Sequence, residues 1–168
     1  MIHGRRFAGL LLVVPVAALA LAACGPTPAP APPPHVPCYD VGTAGATIAA
    51  CHLNYATYTI DPNPFAQQVA DSIAVLHTCA NLGAHHTASS TLHAVYPAAT
   101  SIGENLYCQW SSSGACPSNG DGATNAINAW LNSPPHRANM DGFVGASVVG
   151  GASCSAGYYI AVAQFHRP

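Results

Sequence analysis

The residues best suited to chemistry in this sequence are one glutamate and a set of histidines. Glu104 is the only glutamate in the 168 residues, and it lies between apolar stretches in the segment Ser101–Leu106. A carboxylate in that setting can cap a helix, bind a ligand from a buried position, or act as a general acid or base. Each histidine beyond the first 24 residues can titrate or bind a metal near neutral pH. These histidines are His35, His52, His77, His85, His86, His93, His136 and His166.

Structural roles compete with function for most of these histidines. His77 lies on an apolar helical stripe with Ile73 and Ala80, which predicts a core position with its hydrogen bonds satisfied. His85 and His86 follow the expected end of that helix, where a cation interacts favourably with the helix dipole. Capping is therefore the structural alternative for this pair.

Two helices are predicted from caps and apolar periodicity. Asn63 is suited to cap the first helix, and Pro64 is suited to its first turn. The helix is expected to end near Gly83. Its apolar stripe has spacings of four, four, three and four residues, and consists of Phe65, Val69, Ile73, Leu76 and Ala80. The second helix is expected to begin near Asp121 and to stop at the segment Ser133–Pro135.

Strands are predicted mainly in the C-terminal part of the sequence. Residues 95–105 are rich in turn formers and are predicted to be irregular, followed by an extended segment at Leu106–Trp110. Phe143–Val149 and Tyr158–Phe165 have strand composition, and the second has few polar breaks, which suits a strand buried on both faces. Glycines are expected to mark the hairpin between them, at Gly145, Gly150, Gly151 and Gly157. Helices on a mostly antiparallel sheet define an α+β fold.

Six cysteines follow Cys24, and an even number in an exported chain predicts three disulfides. They are Cys38, Cys51, Cys79, Cys108, Cys116 and Cys154. Cys108 and Cys116 are close in sequence and form the pair that we favour, while the other pairings stay open. The sequence contains no pair of cysteines with CxxC or CxxxC spacing, which disfavours a zinc–thiolate cluster.

The N-terminus has the pattern of a bacterial lipoprotein signal peptide, predicted to span residues 1–23. A short segment with Arg5 and Arg6 precedes an apolar stretch from Phe7 to Ala23, and the stretch ends at Leu21-Ala22-Ala23-Cys24. This ending resembles a lipobox, so Cys24 is predicted to be lipidated and to anchor the chain on the extracytoplasmic face of the cell membrane. The alternative is an ordinary secretion signal in which the cysteine occurs by chance.

Residues 24–37 are predicted to be a tether between the anchor and a domain at residues 38–168. Seven prolines in residues 25–37 favour a polyproline II spacer, which extends roughly 40 Å at about 3.1 Å per residue. Beyond the signal peptide only Arg137 and Arg167 are basic, and the chain has no lysine. Since phosphate-backbone binding needs a basic surface, a nucleic-acid partner is not expected.

Several motifs together resemble the bacterial branch of the CAP superfamily, which comprises cysteine-rich secretory proteins, antigen 5 and pathogenesis-related 1 proteins. The first two are His86-Thr87-Ala88-Ser89 and Gly103-Glu104-Asn105-Leu106. The third is Trp130-Leu131-Asn132-Ser133-Pro134-Pro135-His136-Arg137-Ala138-Asn139, followed by the strand that contains Tyr158-Tyr159 and Gln164-Phe165. The resemblance covers about residues 64–165. It implies a three-layer α-β-α sandwich with a central antiparallel sheet.

The resemblance also implies a cleft in which His86 and Glu104 face His136, with His93 as the alternative first histidine. Ser133 occupies the position of a second glutamate in animal and plant members, and Tyr158-Tyr159 stands where their second histidine begins a strand. The His/Glu metal site of that branch is therefore incomplete. A divalent metal here would depend on His86, Glu104 and His136. The region before Asn63 lacks the family's Asn-x-x-Arg opening helix, so residues 38–61 are expected to be rearranged and held by disulfides.

Three functions are consistent with these residues. The first is a non-enzymatic module that binds a lipid, sterol or cell-envelope component, which suits the low charge. The second is a hydrolase in which Glu104 and a histidine activate water, directly or through a metal; the sequence has no Gly-x-Ser-x-Gly nucleophile motif. The third is a structural role in which Glu104 and His136 hold together the junction of sheet and helix.

Overall fold

A computed structural model describes residues 35–168 of the chain, and the predicted signal peptide, Cys24 and most of the tether lie outside these residues. The helices are α1 (Ala44–Tyr55), α2 (Phe65–Ala74), α3 (Ser89–Val95), α4 (Asn119–Asn132) and α5 (Pro134–Gly142), with a short 3-10 helix at Leu82–His85. The strands are β1 (Thr59–Ile60), β2 (Ser101–Trp110), β3 (Ser147–Ser155) and β4 (Tyr158–Arg167). Among the described helices, none combines the length and the apolar character that crossing a membrane requires.

The four strands form one sheet in the order β1-β3-β4-β2. The three long strands are antiparallel, with β4 paired to β2 on one side and to β3 on the other. β1 adds two residues in parallel orientation at the β3 edge. The α+β prediction with a mostly antiparallel sheet is confirmed.

Alternate side chains of the central strand β4 enter two separate cores. Tyr159, Ala161 and Phe165 belong to the core beneath α1, α4 and α5, on what we call the first face of the sheet. Ile160 and Val162 belong to the core beneath α2 and α3, on the second face. The sheet therefore lies between two helical layers, which makes the fold an α-β-α sandwich.

Two glycines in β3 let the helices on both faces approach the sheet closely. A Cβ atom on Gly150 would lie 2.2 Å from the carbonyl oxygen of Gly45 in α1. One on Gly151 would lie 2.1 Å from the carbonyl oxygen of Ala66 in α2. Their predicted place in the hairpin turn is wrong, because the turn that joins β3 to β4 is at Ala156–Gly157.

Helix α2 begins as predicted but is shorter. The Asn63 side chain accepts a 2.9 Å hydrogen bond from the amide of Phe65, yet the helix ends at Ala74 and not near Gly83. His77 follows in a left-handed conformation, with φ of 51°. Its side chain is exposed and forms a hydrogen bond with Ser155, so the predicted core position is wrong.

The predicted second helix is confirmed as α4, and the prolines after it have a second effect. They end α4 and also supply the first turn of α5, where proline's fixed φ is compatible with a helix start. The predicted strand at Phe143–Val149 is shifted, because α5 and a turn extend to Gly145 and β3 runs from Ser147 to Ser155.

Strand β2 begins earlier than the sequence indicates. Residues 95–105 were expected to be irregular, but β2 starts at Ser101 and pairs continuously with β4 as far as Trp110. The polar residues Glu104 and Asn105 interrupt the apolar pattern, although the side chains of both form hydrogen bonds within the fold. β4 is buried along most of its length, as predicted.

Three disulfides are present in residues 35–168, as predicted, but the favoured pair Cys108–Cys116 is wrong. Closeness along the chain is a poor guide, because Cys108 lies in β2 and packs into the second-face core. The observed disulfides are Cys38–Cys51, Cys79–Cys108 and Cys116–Cys154.

The N-terminal part of the described chain packs against the rest of the domain. Cys38–Cys51 attaches the entering segment to α1. Val36, inside the predicted tether, is buried, and its backbone N–H and C=O both bond to the side chain of Asn128 in α4. The packed part of the chain therefore includes Val36.

A buried histidine makes the first-face core sensitive to acid. His52 in α1 is fully buried among Tyr58, Trp130 and Phe165, and its Nδ1 lies 2.9 Å from the carbonyl oxygen of Ile48. Its Nε2 has no hydrogen-bond partner in the described chain. Burial lowers the pKa of His52 from 6.5 to about 4, because a charged ring would lose its hydration there.

We predict that His52→Leu removes an acid-dependent loss of stability. In the wild type the unfolded state takes up a proton as the pH falls below 6.5, while folded His52 stays neutral until about pH 4. The free energy of unfolding should therefore fall by about 3 kcal/mol between pH 7 and pH 4 because of this group alone. Urea unfolding at both pH values measures the loss. The control His93→Leu, at an exposed site, should keep the wild-type pH dependence. An unchanged dependence in His52→Leu would contradict the assignment.

Candidate functional site

The carboxylate of Glu104 is the most densely bonded side chain in the described part of β2. Its side chain is 3% exposed. One oxygen accepts from the backbone N–H of Thr87 at 2.8 Å and lies 3.2 Å from Nδ1 of His86. The other accepts from the Thr87 hydroxyl and from Nε2 of Gln164, both at 2.8 Å. Both oxygens of the buried carboxylate are therefore occupied by donors of the protein.

These donors come from separate parts of the second face. Gln164 lies directly opposite Glu104 in the β2–β4 ladder, and His86 and Thr87 lie between the 3-10 helix and α3. Gln164 also accepts a 2.8 Å hydrogen bond from the hydroxyl of Tyr96, which follows α3. Burial, and then the nearby carboxylates, raise the pKa of Tyr96, so its hydroxyl keeps the donated proton. Glu104 thus joins two strands to the loop that presents His86.

His136 reaches the same region from the first turn of α5. Its Nδ1 lies 2.8 Å from the hydroxyl of Ser133, and its carbonyl oxygen accepts from the Asn105 side chain at 3.1 Å. Burial lowers the pKa of His136, and the positive charge of His86 lowers it further. Near neutral pH His136 is an uncharged imidazole.

The side chains of the motif Gly103-Glu104-Asn105 alternate between the two faces of the sheet, as they do in any strand. Glu104 points to the second face, whereas Asn105 points to the first face and bonds to Asn139 in α5 at 2.9 Å. A Cβ atom on Gly103 would lie 2.4 Å from Oδ1 of Asn139, so a side chain there would displace α5. Consecutive residues of one edge strand therefore hold the elements that carry His86 and His136.

The structure places the four residues expected in the cleft in two contacting pairs, and it distinguishes among the neighbouring histidines. His86 contacts Glu104, and Ser133 contacts His136. His93 is exposed on α3, and His85 ends the 3-10 helix, so neither is the partner of Glu104. The predicted site omitted three bonding partners, Thr87, Gln164 and Tyr96. Thr87 and Gln164 belong to the motifs that resemble the CAP superfamily, whereas Tyr96 lies outside them.

Ser133 and Tyr158-Tyr159, where the sequence departs from the metal-site pattern that the resemblance implies, have different relations to the site. Ser133 lies within it, because its hydroxyl contacts His136. Tyr159 pairs with Gln109, five residues along β4 from Gln164, which is about 17 Å at the rise of a strand. A side chain at that end of β4 is therefore remote from Glu104.

Because donors of the protein occupy both Glu104 oxygens, the groups left to contact a ligand are imidazole nitrogens of His86 and His136. No three His, Cys, Asp or Glu side chains among residues 35–168 converge as a metal site would require. His86 and His136 both use Nδ1 for their contacts, and in the described chain Nε2 of neither ring has a hydrogen bond. Each ring therefore keeps one nitrogen that can contact a polar group.

Comparisons of the chain with protein-family models, with curated proteins and with solved structures gave no significant match.

We predict that Glu104→Gln destabilises the fold by about 2–4 kcal/mol, measured by urea unfolding at pH 7. The glutamine amide would direct N–H groups at a site already occupied by donors, and the charge that strengthens those bonds would be lost. The matched control Asp40→Asn changes an exposed carboxylate that accepts hydrogen bonds from Gly42 and Asn119, and it should cost less than about 1 kcal/mol. Equal losses in the two variants would show that Glu104 has no special structural role.

Proposed function

We propose that this chain is an extracytoplasmic lipoprotein with a CAP/SCP-like domain, and that the domain binds a lipid, sterol or cell-envelope component without transforming it. The observation that carries the proposal is the full occupation of the Glu104 carboxylate by His86, Thr87 and Gln164. A general base must be free to take a proton from substrate or water. Glu104 instead acts as the support that positions the cleft.

The two histidines supply the polar contacts of the proposed cleft. A neutral imidazole can donate or accept one hydrogen bond at Nε2, depending on its tautomer. Lowering the pKa of His136 keeps its ring neutral, which suits a hydroxyl, ester or phosphate group on an otherwise apolar ligand. With only Arg137 and Arg167 as basic residues beyond the predicted signal peptide, the domain has few permanent cations to bind an anion more strongly.

The anchor part of the proposal rests on the sequence Leu21-Ala22-Ala23-Cys24 and the prolines that follow it. Lipid at Cys24 would hold the cleft near the membrane surface, where apolar ligands with polar head groups are concentrated. The tether would set the reach. The residues on which this part of the proposal rests lie outside the part of the chain that the structure describes.

We predict that Cys24→Ala abolishes incorporation of labelled fatty acid into the protein in a bacterial host. The thiol of Cys24 is the proposed acceptor, so the mature wild-type chain should begin with a lipid-modified cysteine. Mass spectrometry of the N-terminal peptide identifies both the modification and the cleavage point. The control Pro26→Ala, just beyond the motif, should be lipidated normally. Fatty acid retained in Cys24→Ala, or a mature N-terminus elsewhere, would refute the anchor.

We predict that the full chain, purified from a membrane extract, carries an intact lipid or envelope molecule detectable by native mass spectrometry. The double variant His86→Ala/His136→Ala should retain at least about fivefold less of it, because two hydrogen bonds of about 0.5–1.5 kcal/mol each are lost. His93→Ala is the matched control and should retain the wild-type amount. A chain that carries no such molecule, or equal retention in all variants, would contradict the proposed binding.

A hydrolase is the second candidate, and one contact favours it. Nδ1 of His86 faces the Glu104 carboxylate, and this arrangement orients the ring and leaves Nε2 toward a substrate or water. The purification experiment separates the two functions. Intact ligand on the wild type indicates a binding module, whereas cleaved products that disappear in the histidine double variant indicate hydrolysis.

A further inference from the structure

A cavity of about 540 Å³ lies at the β3 edge of the sheet, whereas Glu104 lies in β2 at the other edge. The start of α1 and the segment between β1 and α2 form its walls, and part of β3 forms its floor. Most of the lining is apolar, with side chains from Ala44, Ala46, Ala49, Ile60, Pro62 and Pro64. This volume is within the range of small-molecule sites in proteins.

The floor of this cavity, which we call the edge cavity, is the outer edge of strand β3. Other parts of the protein pair with this edge on both sides of Gly150. β1 pairs with Ser147 and Val148, and the amide of Asp61 bonds to the carbonyl of Val148. Further along β3, the side-chain amide of Gln67 bonds to both backbone groups of Ala152. Its Nε2 donates to the carbonyl at 2.8 Å, and its Oε1 accepts from the N–H at 3.2 Å.

Gly150 lies between these two covered positions. The backbone groups of every second residue in a strand point the same way, and β3 pairs with β4 without a break. Since the groups of Val148 and Ala152 point away from β4, those of Gly150 do so as well. In the described chain they make no hydrogen bond, and Gly150 is partly exposed in the cavity. One donor and one acceptor, side by side at the floor of the cavity, therefore have no hydrogen-bond partner in the described chain.

We propose that the edge cavity binds a small molecule with an apolar body and a primary carboxamide or lactam group, whose N–H and C=O pair with those of Gly150. The protein shows this pairing two residues away, where the carboxamide of Gln67 bonds to Ala152 in the same way. The ligand's apolar body would contact the alanine and proline side chains of the walls. This site is independent of the function proposed for the cleft.

The geometry and the charge of the edge cavity narrow the ligand class. The covered positions Val148 and Ala152 are four residues apart, about 13 Å along a strand, so the opening admits one amide and not a through-going peptide strand. Asp61 is the one charged residue in the lining, and its oxygens already bond to His166 and to the amide of Asn63. The ligand is therefore an uncharged amide.

Amide-detected NMR of the full ¹⁵N-labelled chain in detergent tests this site with cyclohexanecarboxamide as the probe. We expect a saturable downfield shift of the Gly150 amide proton, because that proton gains a hydrogen bond. Cyclohexyl methyl ketone has nearly the same shape but no N–H, and it should bind at least about tenfold more weakly. The comparison also accounts for partition of both probes into detergent.

Two filling variants and a control complete the test. Ala46→Trp and Ile60→Trp place an indole at exposed positions of the lining, and each should weaken carboxamide binding at least about tenfold. Ala94→Trp, at an exposed position on α3 outside the cavity, should bind like the wild type. An unmoved Gly150 signal, equal binding of the ketone, or equal loss in all three variants would overturn the proposal.

Discussion

A buried negative charge is the constraint on which the candidate site depends. Removing a carboxylate from water costs several kcal/mol unless donors replace the lost hydration. Glu104 obtains these donors from the opposite strand through Gln164 and from the segment before α3 through Thr87 and His86. The charge is therefore stabilised only when strand and loop are in their native positions. Glu104 fixes the loop that carries His86 for this reason.

The same edge strand also positions the other half of the site. Asn105 points to the opposite face from Glu104 and bonds to α5, and the missing side chain of Gly103 lets that helix approach. His86 and His136 thus come from different helical layers, and each layer is bonded to neighbouring residues of β2. This arrangement is the basis for the cleft proposed at this edge of the sheet. The amide site proposed at Gly150 uses the other edge, where a gap in the pairing exposes backbone groups.

Sequence patterns predicted those features that depend on local chemistry. Caps and periodicity located α4 and the start of α2, and the long apolar run located β4, because these signals lie within a few neighbouring residues. The start of β2 was missed because Glu104 and Asn105 are polar residues whose partners are distant in sequence. The disulfide of Cys108 was missed for the same reason, since the fold places it beside Cys79 and not beside Cys116. Glu104, His86, Ser133 and His136 were predicted through a family resemblance, whereas Tyr96, which bonds to Gln164, has no local signal.

Hydrogen exchange at the backbone amide of Thr87, measured by NMR, tests the central role of Glu104 most directly. That amide lies in a loop outside helices and strands, and its hydrogen-bond acceptor is the Glu104 carboxylate. If the buried carboxylate holds the loop, the Thr87 amide should exchange nearly as slowly as the amides of β4, and Glu104→Gln should accelerate its exchange. Wild-type exchange at the rate of an exposed loop amide would contradict the account.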